Sequence, residues 1–389
     1  MTGPGSDTSG GYPGGKRMAH AQLVTEEQVL NALRKVQDPD LRKDLVSLNM
    51  IRDLKVSDDG SVSLRVVLTT PACPLKAKIE SDVRGAVLAV EGVRSVQVKM
   101  DAEVRSRGAA AGVTKIEGVS HIIAVSSGKG GVGKSTVAVN LATALALEGA
   151  KVGLMDADVY GPNVPTMMGV TESPKLANHP TKGEVLIPPT VHGVKVMSMG
   201  FMIQGDQPLV WRGPMLHSVV NQFCHQVSWG ELDYLIVDMP PGTGDIQLSL
   251  AQLVPVTGAV LVTTPQEVSM QDVRKAFNMF EKVRVPVIGI VENMSYFRCD
   301  GCEKLHHPFG SEGGRHLALK YKTELLGQVP ILPQVREGGD EGTPIVLKEP
   351  SSEPARVLRD IAQKVAQRVS VMAAEGVDPS DIVQIGRFN

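Results

Sequence analysis

The sequence predicts an α/β protein whose mainly parallel sheet is covered by helices on both faces, preceded by a small α+β domain. Three observations carry this. Short apolar runs at 121–125, 151–155, 234–237, 259–264 and 287–291 alternate with helical patterns, as strands buried on both faces do. A glycine-rich loop, Gly128 to Ser135, joins the first run to a helix. Ahead of it, residues 22–102 show their own alternating and helical apolar faces, sufficient for a separate unit.

Composition narrows the partners. The 389 residues are 42% apolar and 21% charged, with a formal net charge of −2, so neither nucleic acid nor an anionic membrane is favoured electrostatically. No stretch approaches the roughly 18 uninterrupted apolar residues of a membrane span. Four cysteines, two of them in one C-x-x-C, do not make a disulfide framework. Reduced thiols and a cytoplasmic location are expected.

In chain order, residues 1–21 are rich in Gly, Ser, Thr and Pro and read as a disordered tail. Thr25 with Gln28 three residues on forms a capping box, and Val29, Leu30, Leu33 and Val36 continue it as a helix until Asp38-Pro39-Asp40. Two alternating runs between Ile51 and Thr70 flank Asp58-Asp59-Gly60, a hairpin signal. A helix over 75–90 and a strand over 93–100 complete the small domain, 22–102. Cys73 precedes that helix. It is either a thiol activated by a helix N-terminus or a small residue in a tight turn. Residues 103–118 read as a linker, 119–375 as the main domain and 376–389 as a tail.

The loop fits G-x-x-x-x-G-K-[ST]. A triphosphate needs several backbone N–H groups aimed into one concavity, which residues without a Cβ allow cheaply. Gly128, Lys129, Gly130, Gly131, Val132, Gly133, Lys134, Ser135 and Thr136 are therefore the nucleotide cradle. Lys134 supplies charge to the β and γ phosphates and Ser135 a hydroxyl to Mg²⁺. The helix after it, with Val137, Leu141 and Leu145, places the phosphates at its N-terminus. This is a P-loop NTPase pattern.

Other strands deliver carboxylates to the same edge. Asp238 ends Tyr234-Leu235-Ile236-Val237 and is the expected second Mg²⁺ partner. The following Met239-Pro240-Pro241-Gly242-Thr243-Gly244-Asp245 reads as a movable segment whose Gly242 N–H meets a γ-phosphate. Asp156 and Asp158 end another strand, and one of them could orient the attacking water; spacing does not separate them. Residues 171–215, rich in Pro, Gly and Met, read as an insertion over the sheet edge. Asn293 ends the strand over 287–291 and has the donor and acceptor an adenine edge needs. No N-K-x-D guanine reader occurs.

Cys299-Asp300-Gly301-Cys302 is half of a soft-metal site, since zinc or an iron–sulfur cluster wants four ligands. His306 and His307 could complete it, two chains could each contribute a pair, or the thiols could form a redox switch. The stretch over 351–374, with Val357, Leu358, Ile361, Val365 and Val369 in one stripe, is a docking helix.

The motif GKGGVGKST at 128–136, with its extra lysine at Lys129, resembles the deviant phosphate loop of the MinD/ParA/nitrogenase-iron-protein group. Together with DADVYGPN at 156–163, WRGPM at 211–215, VDMPPGTGD at 237–245, VENMS at 291–295 and the cysteine pair, it resembles the Mrp/ApbC iron–sulfur cluster carrier ATPases over 119–375. Residues 22–102 look like the iron–sulfur-assembly-associated domain that precedes many bacterial members. The resemblance implies a homodimeric ATP hydrolase in which Lys129 reaches the partner's nucleotide, Asp158 positions water, and Asp156 is its metal-side neighbour. It further implies that Cys299 and Cys302 of each subunit bridge one labile cluster, expected to be [4Fe-4S]. Apo iron–sulfur proteins and cluster scaffolds would be its partners. The alternative is a MinD/ParA-like positioning ATPase without a cluster, which needs a basic face or a membrane-seeking tail.

Overall fold

The computed structural model describes residues 24–104, 115–180, 183–202, 213–242, 244, 247–248, 253–254 and 256–375. The expected N-terminal and C-terminal tails, most of the linker, and Trp211, Arg212, Thr243 and Asp245 lie outside them.

The N-terminal unit is built from α1 (Glu26–Leu33), β1 (Ile51–Val56), β2 (Ser61–Leu68), α2 (Lys76–Leu88) and β3 (Ser95–Ala102). Thr25 and Gln28 cap α1 reciprocally: the Gln28 N–H donates to Thr25 Oγ1, and the Thr25 N–H to Gln28 Oε1 at 2.9 Å. Every second residue of β2 is buried, so one face of the sheet packs under the helices. β1 and β2 run antiparallel through the expected hairpin; α2 then crosses over to bring β3 parallel to β2.

The larger unit holds an eight-stranded sheet. Its strands are β4 (Val119–Ser127), β5 (Val152–Asp156), β6 (Val194–Ser198), β7 (Leu232–Asp238), β8 (Gly258–Thr263), β9 (Val287–Glu292) and β10 (Glu324–Gln328), with Thr190–Val191 as a short edge. From that edge the order is β6, β5, β7, β4, β8, β9, β10, all parallel. Among the described residues of this sheet only the edge pair is antiparallel. β4 shows why its sequence is apolar without alternation: Ile123 and Val125 enter one core, Ile122 and Ala124 the other.

On the first face lie α3 (Lys134–Leu147) and the C-terminal helix, Glu353–Glu375, meeting the sheet through Val137, Leu141, Leu145, Leu358, Ile361 and Val365. The opposite face is covered by α4 (Gly213–His225) and α5 (Glu267–Lys282), with Phe223, Phe277 and Phe280 in the core. The expected insertion is partly corrected. Residues Lys175–His179 and Gly183–Ile187 do form a separate hairpin, but Val194–Ser198 is a member of the main sheet, recruited by its β-branched apolar residues.

The two units meet at the loop before α2. Ala72 is fully buried within the larger unit's core, the Tyr234 hydroxyl donates to Thr70 Oγ1 at 3.0 Å, and the Ser370 hydroxyl donates to the Thr69 carbonyl at 3.4 Å. Nothing in the composition of that loop announces its docking.

Candidate functional site

Parallel register builds the site. Ser198, Asp156 and Asp238 are direct neighbours at the ends of β6, β5 and β7, so one edge of the sheet carries three oxygen-bearing side chains. The glycine loop leaves β4 beside them. Gly131 and Gly133 have φ of 79° and 82°, which L side chains adopt only with strain. Gly133 also has no room for a Cβ, which would stand 2.1 Å from Asn293 Nδ2; one on Gly128 would meet the Asp272 backbone carbon of α5 at 2.2 Å. No side chain caps the first turn of α3, so its leading N–H groups remain for an anion.

Lys134 is buried, 2.7 Å from Asp238 Oδ1 and 3.3 Å from Asp158 Oδ2. Burial alone would lower its pKa; the charges of Asp238 and Asp158 outweigh that and hold it above the ordinary lysine range. Ser135 Oγ donates to Asp238 Oδ2 at 2.6 Å. Serine hydroxyl and carboxylate together are a hard-oxygen pair of the kind Mg²⁺ takes, so Ser135 and Asp238 fit that ion. Asp156 fits less directly. Its Oδ1 accepts from the Asp158 N–H at 3.1 Å, and its Oδ2 from the Ser198 hydroxyl at 2.8 Å and the Val164 N–H at 3.4 Å. Burial, then the Asp238 charge, push its carboxyl up to about 8. Its geometry is that of an organiser of the 157–164 segment.

The Gly242 N–H donates to the Ser127 carbonyl at 3.0 Å, because the segment after Asp238 folds back on β4. Asn293 gives one amide N–H to the Val132 carbonyl at 2.9 Å, bracing the loop from inside; its second amide N–H and its oxygen are left for a base edge. Beside Thr136 and Asn293 opens a groove of 560 Å³ walled by Ile331, Leu332, Val335 and Arg336. The sequence reading missed this wall, and it missed Ser198; a serine ending a strand in step with Asp156 was the available signal. Lys129 is half-buried and its carbonyl accepts the Ser127 hydroxyl at 2.9 Å.

The cysteine pair stands on a small hairpin, Phe297–Arg298 against Leu305–His306. Cys302 is exposed and Cys299 half-buried. The Cys302 N–H, then the Gly301 N–H and the Cys302 thiol, point at Cys299 and hold its thiol below the ordinary range. The histidines do not complete a site: His306 stacks on Phe297 with ring centroids 5.2 Å apart, and His307 Nδ1 donates to the Ser295 carbonyl at 3.2 Å. Among the described residues no three His, Cys, Asp or Glu side chains gather to hold a metal. Cys73 is not activated; burial pushes its thiol up to about 11.

Sheet order, loop and strand-end carboxylates define a P-loop nucleotide-binding protein with a deviant, two-lysine loop. A sequence model of the NUBPL iron-transfer P-loop NTPases matches residues 118–366, and one of an iron–sulfur cluster assembly protein matches 26–100. The iron–sulfur cluster carrier protein of Synechocystis sp. is 52% identical over 352 residues, spanning 90% of this chain and 99% of the relative. That of Escherichia coli K12 is 44% identical over 345 residues, 88% of this chain and 91% of the relative. A nucleotide-binding protein from Archaeoglobus fulgidus, solved in complex with ADP, is 40% identical with a TM-score of 0.52, covering 59% of this chain and 88% of that one. The chain belongs to the iron-transfer P-loop NTPase family. No helix among its described residues is long and apolar enough to cross a membrane.

Proposed function

We propose that this chain is an ATP-hydrolysing carrier that holds an iron–sulfur cluster between two copies of itself and passes it to apo-proteins in the cytoplasm. The observation that carries it is the pairing of a full phosphate cradle with half a metal site: two thiols at a hairpin tip, Cys299 and Cys302, with no further ligand near them among the described residues. Two copies supply the four thiolates that a [4Fe-4S] cargo takes. The positioning-ATPase alternative leaves those thiols without a role.

On ATP entry Lys134 exchanges its carboxylate partners for phosphate oxygens, and Asp238 with Ser135 would hold Mg²⁺. Mg²⁺ held there would supply positive charge against that developing on the phosphates. Asp156, held by Ser198, keeps the segment bearing Asp158 in place, and Asp158 orients the attacking water. Lys129 acts on the nucleotide of the opposite copy. Asn293 and the Ile331–Arg336 wall seat the nucleoside. Cluster scaffolds load the carrier, and no nucleic acid or membrane takes part.

The test is anaerobic reconstitution of the full chain with iron and sulfide, comparing wild type with Cys299→Ser/Cys302→Ser. Wild type should hold one cluster per two chains and the variant almost none. Equal iron and sulfide in the two would sink the bridging role.

A further inference from the structure

A short stretch, Asn293 to Cys299, leads from a contact with the phosphate loop to the cysteine hairpin. Six residue steps span at most about 20 Å even when extended. This stretch is fixed at nearly every position. Its first residue braces the loop through Val132, and the Asn293 N–H donates to the Thr263 carbonyl at 2.7 Å. Met294 turns the chain sharply with φ 54°, a left-handed conformation that needs support from its surroundings. The support is present. The Ser295 N–H donates to the Val329 carbonyl at 3.0 Å, its hydroxyl to the buried Glu292 carboxylate at 2.5 Å, and the Ile331 N–H to the Tyr296 carbonyl at 2.7 Å.

Two residues from outside the stretch clamp it between Ser295 and Arg298. His307 holds the Ser295 carbonyl, tying the returning arm of the hairpin to the stretch. Glu353, at the start of the C-terminal helix, accepts from the Tyr296 hydroxyl at 2.9 Å and faces Arg298 at 3.6 Å. Ile331 also walls the nucleoside groove. A shift of loop or groove is therefore delivered to the hairpin instead of being absorbed by slack chain.

We propose that Asn293–Cys299 is a stiff strut that couples nucleotide binding to the geometry of the Cys299–Cys302 hairpin, with His307 and Glu353 as the positioning residues that keep it stiff. This rests on reading the pair as the cargo thiols. Coupling between two sites is a free energy that both must feel, commonly worth about fivefold or more in an equilibrium.

The experiment needs no cluster. In the full-length protein, iodoacetamide labelling of Cys299 and Cys302 is followed by site-resolved mass spectrometry with and without Mg-ADP or a non-hydrolysable ATP analogue. In wild type, nucleotide should change the labelling rate of the pair about fivefold. In His307→Ala/Glu353→Ala the change should shrink below about twofold, with nucleotide affinity retained and the melting temperature within a few degrees of wild type. A merely structural clamp would alter stability but leave the nucleotide dependence. The proposal is overturned if nucleotide leaves wild-type labelling unchanged, or if the double variant keeps the full response. Because the readout is thiol chemistry, the two ideas separate. A nucleotide response without cluster binding would sink the carrier reading and keep the strut; cluster binding without a response would do the reverse.

Discussion

Lys134 Nζ lies 2.7 Å from Asp238 Oδ1, both side chains nearly inaccessible to solvent. The ammonium that must meet phosphate thus also neutralises a carboxylate that has no other cation at that distance among the described residues. Lys134→Ala should cost about 3–5 kcal/mol, the usual penalty for orphaning a buried charge. The stabilisation by Mg-ADP seen in wild type should vanish with it. Calorimetric melting with and without nucleotide reads both effects, and an unchanged melting temperature would refute the pairing.

Asp156 makes stability depend on pH. Its folded carboxyl is raised to about 8 from 3.8, so the native state holds a proton that the unfolded chain has already released between those values. That contribution is complete below about pH 4 and is lost as pH rises toward 8. Asp156→Asn should therefore melt at or above wild type, by a margin that widens from pH 4 to 8 and then levels off. It should also hydrolyse ATP slowly. A constant margin across that range would show that the carboxyl titrates normally.

Gly133→Ala puts a methyl 2.1 Å from Asn293 Nδ2 at a φ of 82°. Strain and clash together should cost roughly 1–3 kcal/mol. Displacing Asn293 opens the loop, so ADP affinity by calorimetric titration should fall about tenfold or more.

Three of the four thiols should separate by reactivity. Cys299 is held low by the Cys302 and Gly301 N–H groups, whereas burial pushes Cys73 up to about 11 and Cys224 up to about 12. At pH 8 iodoacetamide should label Cys299 at least about tenfold faster than Cys73, since thiolate is the reacting form. Equal rates would contradict the hairpin geometry.

Much of this was legible in the residues. The capping box at Thr25, the hairpin at Asp58-Asp59-Gly60, the strand that delivers Asp238 and the stripe through Leu358, Ile361 and Val365 are local patterns, and local patterns survive folding. What escaped depends on neighbours remote in sequence. Ser198 matters because β6 lies beside β5, Ala72 because the larger unit leaves a place for it, and Asn293 because Val132 comes within reach. Cys73 shows the limit most directly. Its position before a helix left an activated thiol and a small turn residue both open, and burial, with Asp40 and Asp38 nearby, pushes the thiol up.

The docked loop at 69–73 also bears on biosynthesis. Thr69 meets Ser370, 301 residues further along the chain. At ribosomal speeds of ~5–20 residues per second, roughly 15–60 s pass between the emergence of the loop and that of its last partner. During that interval Ala72 has no core to enter, and the N-terminal unit must wait with an apolar tip in water. The nascent chain is thus most exposed to mispairing before the helix Glu353–Glu375 leaves the ribosome, and emergence of that helix is the event that closes the docked loop.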